Sequence, residues 1–135
     1  DLDPIVEEMM RDNPEIMDAV KNPVVELESG EKVADIGINS GITYQEIIRS
    51  AQTLVWTGKM GDFDAPLSKI GCQRVAGILA IAGYGGTKCI AGGYDVLPVI
   101  AEFGVSEGFS HISTGHRAFF ECLKGKSLPG IEALS

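Results

Sequence analysis

Residues 88–100 read Lys-Cys-Ile-Ala-Gly-Gly-Tyr-Asp-Val-Leu-Pro-Val-Ile, and this stretch decides the fold. Its first four residues are a short, mostly apolar run that is typical of a strand, and Gly92 and Gly93 end that run. Asp95 then opens a helix that is predicted to continue to Phe103. A strand, a glycine loop and a helix in that order are typical of one unit of a parallel α/β sheet.

The same order of elements occurs on both sides of this stretch. Upstream, Thr53–Trp56 is a strand candidate that ends at a glycine-rich loop, and Pro66 is predicted to begin the helix that follows it. Downstream, Ser110–Ser113 is a strand candidate that ends near Gly115, and a last helix is predicted to run to about Leu123. In such sheets ligands bind in the loops that follow the carboxyl ends of the strands.

Four shorter segments carry weaker signals. Val24–Leu27 could form a further strand, and the apolar run Val33–Ile36 ends at Gly37. Thr43 with Glu46 is predicted to form a capping box at the start of a helix, and Pro129-Gly130 is predicted to turn the tail. The predicted fold is therefore a partial doubly wound, Rossmann-like parallel sheet of about four strands with flanking helices.

The charge is concentrated in the first 32 residues. The chain of 135 residues carries a net charge of −8, and residues 1–32 hold ten acidic but only three basic side chains. Asn-Pro and Asp-Pro starts predict short helices there. We therefore divide the chain into an acidic helical arm, residues 1–32, and one compact domain, residues 33–135, and we expect the arm to be solvated or to meet a basic protein surface.

The composition argues against a nucleic-acid-binding protein, a transmembrane protein and a zinc site. The chain has no basic stripe, so we expect no nucleic-acid partner, and no apolar run is long enough for a transmembrane helix. Cys72, Cys89 and Cys122 are widely spaced among apolar neighbours, so they are predicted to be buried thiols in a reducing compartment rather than zinc ligands. The chain is expected to be intracellular, in an organelle if a leader was removed.

Four segments resemble phosphoglycerate kinases in order and spacing across residues 33–135. They are the strings Val-Trp-Thr-Gly-Lys-Met-Gly-Asp-Phe-Asp (55–64), Ile-Ala-Gly-Gly-Tyr-Asp (90–95), Ser-His-Ile-Ser-Thr-Gly (110–115) and the tail from Leu123 to Ser135. The resemblance implies the C-terminal part of the nucleotide-binding lobe of that family, which holds adenine nucleotide and magnesium. It implies a vestigial nucleotide site at Gly58, Asp64, Gly92, Gly93, Asp95 and Gly115, with Asp95 as the magnesium ligand if nucleotide binds.

The resembling loops depart from the family at the positions that face phosphate. Thr57 replaces an Asn and Lys59 a Pro in the first loop, and Tyr94 and Val96 replace a Gly and a Thr in the second. In the third loop His116 and Arg117 replace two glycines, and Phe119 replaces a small Ser. Because glycine lets backbone N–H groups approach phosphate, the bulk at 94, 116, 117 and 119 is expected to obstruct that approach. Arg117 could instead supply a new cationic contact.

Two further side chains in these segments have structural interpretations. His111 is predicted to be a buried, hydrogen-bonded histidine of its strand, and Trp56 is predicted to pack in the core rather than to stack on a ligand. Neither is therefore predicted to act in catalysis.

The resemblance also implies that much of the family's polypeptide is missing. The whole phosphoglycerate-binding lobe and the first half of the nucleotide lobe have no counterpart here, so a strand that would be central becomes an edge. The leading hypothesis is a non-catalytic accessory subunit, without a resident cofactor, docked on a protein partner in a larger assembly. The alternatives are a fragment of a divided or clipped kinase that needs the missing lobe, and a module that binds Mg-ADP or Mg-ATP without transfer.

Overall fold

The computed structural model describes Arg11, residues 34–64 and residues 68–134. The predicted strand Val24–Leu27 and, apart from Arg11, the predicted helical arm lie outside these residues. In the described part, helices and strands alternate along the chain. They are α1 (Ile38–Ser50), β1 (Thr53–Trp56), α2 (Ile70–Tyr84), β2 (Lys88–Gly92), α3 (Val96–Phe103), a 3₁₀ turn (Ser106–Gly108), β3 (His111–Ser113), α4 (His116–Leu123) and α5 (Pro129–Glu132).

The three described strands form one parallel sheet in the order β1-β2-β3. Trp56 lies opposite Ala91, and Gly92 lies opposite Ser113, so the carboxyl ends of all three strands reach the same edge. This arrangement confirms the predicted parallel α/β fold. It also brings the three loops that were singled out in the sequence to one side of the sheet.

Helix α1 begins at Ile38, so the predicted capping box at Thr43 and Glu46 is wrong. Gly37 is the residue before the first turn and has an extended backbone conformation. The Thr43 hydroxyl donates instead to the carbonyl oxygen of Asn39 at 3.1 Å, one helical turn back. A threonine that bonds to the preceding turn is an interior helical residue rather than a cap.

Helix α2 begins at Ile70, later than Pro66 had predicted, and its cap comes from a distant segment. The Asp35 carboxylate accepts a hydrogen bond from the Gly71 N–H at 2.6 Å and another from the Ile36 N–H at 2.8 Å. A negative group at a helix N-terminus satisfies an unpaired N–H and interacts favourably with the helix dipole. The apolar run before Gly37 therefore forms no strand over its described residues, 34–36, and serves to hold this cap.

The core lies between the sheet and its helices. Its buried members come from β1, α2, β2 and α3, together with Phe109 just before β3: Trp56, Cys72, Val75, Ala76, Leu79, Cys89, Ala91, Val96, Val99, Ile100 and Phe109. Trp56 is 4% exposed and stacks on Phe109 with ring centroids 6.1 Å apart, which confirms its predicted packing role. The Cys89 thiol donates to the Leu79 carbonyl oxygen at 3.3 Å.

Helix α2 meets the 3₁₀ turn through direct backbone contact. A Cβ atom built on Gly83 would overlap the carbonyl oxygen of Gly108, and one built on Gly108 would overlap Ala80. Glycine is therefore required at both positions for the two segments to approach this closely.

Three predictions about individual residues are wrong. His111 is exposed rather than buried, because β3 is a short strand at the edge of the described sheet. Cys122 is exposed, whereas Cys72 and Cys89 are buried as predicted. Pro129-Gly130 does not form a simple turn but begins the single helical turn α5, with Pro129 in a first-turn position where its missing N–H has no cost.

Within residues 34–64 and 68–134, no helix combines the length and hydrophobicity that crossing a bilayer requires.

Candidate functional site

The loops after β1, β2 and β3 meet at Gly93. A Cβ atom built on Gly93 would lie 3.2 Å from the Thr57 hydroxyl oxygen and 3.8 Å from His116 Nδ1. Gly93 has a φ of +110°, a backbone conformation that a residue with a side chain rarely adopts. The register of the sheet thus brings one residue from each of the three loops, Thr57, Gly93 and His116, to the same point.

The loop after β1 is anchored to the core by two hydrogen bonds. The Trp56 indole N–H donates to the Gly58 carbonyl oxygen at 3.0 Å, and Gly58 takes a φ of +83°. Farther along, the Met60 N–H donates to the Cys72 sulfur at 3.2 Å. The loop after β1 is therefore tied both to its own strand and to helix α2.

Asp64, the counterpart of the family's ribose-binding Glu, lies at the exposed end of this loop. Its side chain is 91% exposed, and Lys59 Nζ is 3.9 Å from its carboxylate. Its backbone N–H donates to Asp62 Oδ1 at 3.3 Å. Asp64 is thus fixed by its own loop rather than by the loops after β2 and β3. An exposed pair at this distance contributes about 0–1 kcal/mol, so Lys59 holds Asp64 only weakly.

In the second loop an aromatic ring covers the first glycine. Gly92 is buried, and a Cβ atom built on it would lie 2.6 Å from the Phe119 ring. Phe119 reaches this position from helix α4 and is 7% exposed. The ring therefore fills the space beside the backbone of Gly92, where the resemblance implies a small Ser.

Asp95 stands immediately before helix α3 and is exposed. Its carboxylate makes no capping hydrogen bond to the helix, so it is available to a ligand. Within the described residues no three His, Cys, Asp or Glu side chains are grouped closely enough to hold a metal ion. A lone carboxylate fits magnesium that arrives with nucleotide phosphates, because Mg²⁺ is usually held by one or two carboxylates plus phosphate oxygens.

The third loop leads into an aromatic cluster, which we define as Tyr94, His116, Phe119 and Phe120. His116 stacks on Tyr94 with centroids 4.8 Å apart and an interplanar angle of 19°. It also meets Phe120 edge-on at 5.3 Å, and Phe120 meets Phe119 at 5.5 Å. These are favourable aromatic geometries, so the four rings pack stably at the carboxyl edge of the sheet.

One polar atom inside the cluster is not satisfied. His116 Nδ1 is buried and has no hydrogen-bond partner among the described residues. Leaving such an atom unpaired costs about 1–3 kcal/mol. The local backbone does not compensate, because the nearby Gly115 N–H donates to the Ser113 hydroxyl oxygen at 3.3 Å.

The arrangement restricts what this edge can do chemically. Phe119 and His116 lie against Gly92 and Gly93, two residues of the predicted nucleotide site, while Arg117 is exposed on the first turn of α4. Sequence reasoning identified the bulky positions but missed Phe120, which lies one helical turn after His116 and locks its ring. It also missed Asp35, whose role depends on a helix that begins 35 residues later.

Comparison with known proteins places these observations in a family. The family model described as phosphoglycerate kinase matches residues 2–126, which extends upstream of the segments recognised in the sequence. A phosphoglycerate kinase of Mannheimia succiniciproducens is 39% identical over 116 residues, and a chloroplastic one of Volvox carteri is 42% identical over 100 residues. The solved structure of phosphoglycerate kinase from Coxiella burnetii matches with a TM-score of 0.71 at 33% identity.

The matches cover most of this chain but little of each relative. The alignments include 86% of the chain and 30% of the Mannheimia protein, and 74% of the chain and 22% of the Volvox protein. The Coxiella structure covers 80% of the chain, which in turn covers 27% of that structure. The chain therefore corresponds to a fragment of these relatives.

Proposed function

The chain belongs to the phosphoglycerate kinase family, and from this premise we propose that it is a C-terminal segment of such a kinase that requires the rest of the family's polypeptide for phosphoryl transfer. The observation that carries the proposal is the coverage: 86% of the chain aligns with only 30% of a kinase.

The charges at the carboxyl edge support this dependence. Phosphoryl transfer relies on cations that position the phosphates and neutralise the charge of the transition state. At this edge the described residues offer Arg117, which is exposed, and Lys59, which pairs with Asp64. Asp95 adds a negative charge that suits magnesium. We therefore infer that further cations for the substrate come from the rest of the family's polypeptide.

Complementation tests the proposal. The full chain would be mixed with the part of the Mannheimia succiniciproducens kinase that precedes the matched segment, and ATP-dependent phosphorylation of 3-phosphoglycerate would be measured. We expect activity from the mixture and from neither component alone, and we expect Asp95→Ala to abolish it. A mixture that associates but shows no activity would reject the proposal.

A second candidate function is a non-catalytic accessory subunit that keeps the scaffold and has lost nucleotide binding. The observation that favours it is the position of Phe119 against Gly92, where a ring replaces the small residue of the resembling family segment. Fold and function are separable, since a scaffold can persist after its site has changed. On this reading the partner is a protein of a larger assembly and no cofactor is resident.

Titration with magnesium-ADP distinguishes the two candidates. The accessory reading expects no binding at millimolar nucleotide in a folded sample, and binding that appears in the double variant Tyr94→Gly/Phe119→Ser. Tyr84→Gly combined with Phe119→Ser is the control for the first substitution, because Tyr84 and Tyr94 are both 68% exposed. Micromolar binding by the unaltered chain would reject the accessory reading and would also fit a module that binds nucleotide without transfer.

A further inference from the structure

Helices α1 and α2 present an apolar surface that is exposed in the described part of the chain. On α1, Ile38 and Ile42 are one turn apart and are 67% and 51% exposed. On α2, Ile81 is 71% exposed, and Ile78, one turn earlier, is only partly buried. Arg74 is the one charged side chain among the 15 residues of α2. A helix that is apolar almost all round normally has neighbours on more than one side.

The two helices lie side by side and leave a groove between them. Arg74 of α2 lies across the first turn of α1, since its Nη1 atom is 2.8 Å from a Cβ atom built on Gly41. Toward the other ends of the helices the groove has a volume of about 310 Å³, and Arg49 and Gln45 of α1 contribute to its wall. We call the surface formed by the groove and the exposed isoleucines the α1–α2 face: Ile38, Ile42, Arg49, Arg74, Ile78 and Ile81.

The arginines of the α1–α2 face have no counter-charge in the described part of the chain. Neither Arg49 nor Arg74 makes a hydrogen bond or an ion pair with a described residue. Glu46 is the one acidic side chain of the two helices, and it does not line the groove. Two arginines less one glutamate give these helices a net charge of +1, although the whole chain carries −8. Exposed isoleucines beside such arginines suit an acidic, amphipathic polypeptide.

Residues 1–33 have the complementary chemistry. Acidic side chains outnumber basic ones by ten to three in residues 1–32. The apolar pairs Ile5-Val6 and Met9-Met10 enclose the acidic pair Glu7-Glu8, so apolar and acidic side chains alternate there. Apolar side chains of this kind bury well against isoleucines, and carboxylates form strong hydrogen bonds with guanidinium groups.

This segment joins the described fold at one end of the α1–α2 face. The Asp35 carboxylate accepts a hydrogen bond from the Gly71 N–H in the first turn of α2, and α1 begins three residues after Asp35. Residue 34 therefore lies near the amino ends of both helices. Since the 13 residues of α1 span about 20 Å, 33 residues are enough to run along the face in a helical or an extended conformation.

We propose that residues 1–33 bind to the α1–α2 face of the same chain. Their apolar side chains pack on the isoleucines of this face, and their carboxylates pair with Arg49 and Arg74. The contact lies within the chain and does not depend on whether the chain acts in a kinase. A tethered segment is favoured as the occupant because its effective concentration at the face is high. A second copy fits less well, since it would bring another net charge of −8 to the interface.

Hydrogen exchange of the full chain, followed by mass spectrometry, tests the proposal. In the unaltered chain the amides of residues 1–33 should exchange about tenfold or more slowly than in an unstructured peptide of the same sequence. The double variant Arg49→Glu/Ile81→Glu should remove this protection, because it places two carboxylates beside an acidic segment. Arg117→Glu is the matched control and should leave the protection unchanged, since Arg117 is an exposed cation on α4 and lies outside the face.

Two results would overturn the proposal directly: fast exchange of residues 1–33 in the unaltered chain, and protection that persists in the double variant. Protection that grows with protein concentration, together with a dimer in analytical ultracentrifugation, would assign the contact to a second copy. Slow exchange of the β2 amides verifies that each variant is folded. If the double variant unfolds, a salt series on the unaltered chain replaces it. Protection should fall several-fold between about 0.05 and 1 M NaCl, and constant protection would reject the pairing of charges.

Discussion

Around Gly83 and Gly108 the backbones of α2 and the 3₁₀ turn touch, whereas around Gly92 and Gly93 side chains from α4 fill the space beside the glycines. In the first region nothing larger than hydrogen fits. In the second region, Phe119 and His116 occupy the space beside the two glycines. The first set of glycines is required by backbone packing, whereas in the second set Gly93 takes a φ of +110° and a Cβ atom on Gly92 would lie 2.6 Å from the Phe119 ring.

The difference teaches that the contact between α2 and the 3₁₀ turn and the candidate site at the carboxyl edge depend on separate residues. The contact between α2 and the 3₁₀ turn positions the sheet, and it would fail if either glycine changed. The aromatic cluster is compatible with an unchanged sheet, because its rings pack on the edge beyond the ends of the strands. A chain can therefore keep this family's architecture while its ligand chemistry changes.

The largest effect is expected where the backbones touch. Gly83→Ala should lower the free energy of unfolding by about 2–3 kcal/mol or more, because the added methyl group overlaps the Gly108 carbonyl oxygen. Gly77 is the matched control on the same helix, since nothing lies within 4 Å of its Cβ position. Gly77→Ala should stabilise the protein by up to about 1 kcal/mol through helix propensity. Urea denaturation of the two variants measures both changes, and equal effects would break the comparison.

The next effect concerns the carboxylate that caps α2. Asp35→Ala should lower the free energy of unfolding by about 2 kcal/mol, because the Gly71 and Ile36 N–H groups both lose a charged acceptor. Asp62→Ala should change it by less than about 0.5 kcal/mol, since Asp62 is exposed and accepts one long bond from the Asp64 N–H. Thermal unfolding followed by circular dichroism compares the two. A loss at Asp62 as large as that at Asp35 would contradict the assignment.

A smaller effect of opposite sign is expected in the aromatic cluster. His116→Phe keeps a ring between Tyr94 and Phe120 and removes the unpaired Nδ1, so the free energy of unfolding should rise by about 1 kcal/mol. His111→Phe, at an exposed position, serves as the control and should change little. Loss of stability in His116→Phe would mean that Nδ1 does have a partner, and the cluster would then be a polar site rather than a filling.

The smallest effect concerns the thiols. Burial raises the pKa of the Cys89 thiol above its ordinary value of 9.0, because the thiolate is disfavoured away from water. The neutral thiol is therefore favoured in the folded state, and its contribution to stability is complete below pH 9 and declines as the pH rises above that value. Cys122, which is exposed, should react with a disulfide reagent at pH 8 much faster than Cys89. Equal rates in the native protein would show that the core opens readily.

Sequence alone was sufficient where the signal is local. The strands β1, β2 and β3 are short runs that end at glycines or small residues, and Asp95 marks the start of α3 within one residue. The loops of the candidate site could be predicted as well, because a parallel sheet brings the carboxyl ends of its strands to one edge.

Sequence was insufficient where distant residues cooperate. The capping carboxylate Asp35 and the helix that it caps are separated by a whole helix and a strand, so the nearer Thr43 and Glu46 gave a misleading local signal. The sequence around His111 is typical of a buried strand, but β3 lies at the edge of the described sheet, where His111 is exposed. The meeting of Tyr94 with His116 and Phe120 depends on how α4 lies over the sheet, which no local pattern encodes.

Consecutive strand order allows the sheet to grow one strand at a time as the polypeptide leaves the ribosome. β1 can pair with β2 once α2 has emerged, and β3 then adds to β2 without rearranging earlier pairs. Each step closes a short loop, so the order of contacts follows the order of synthesis.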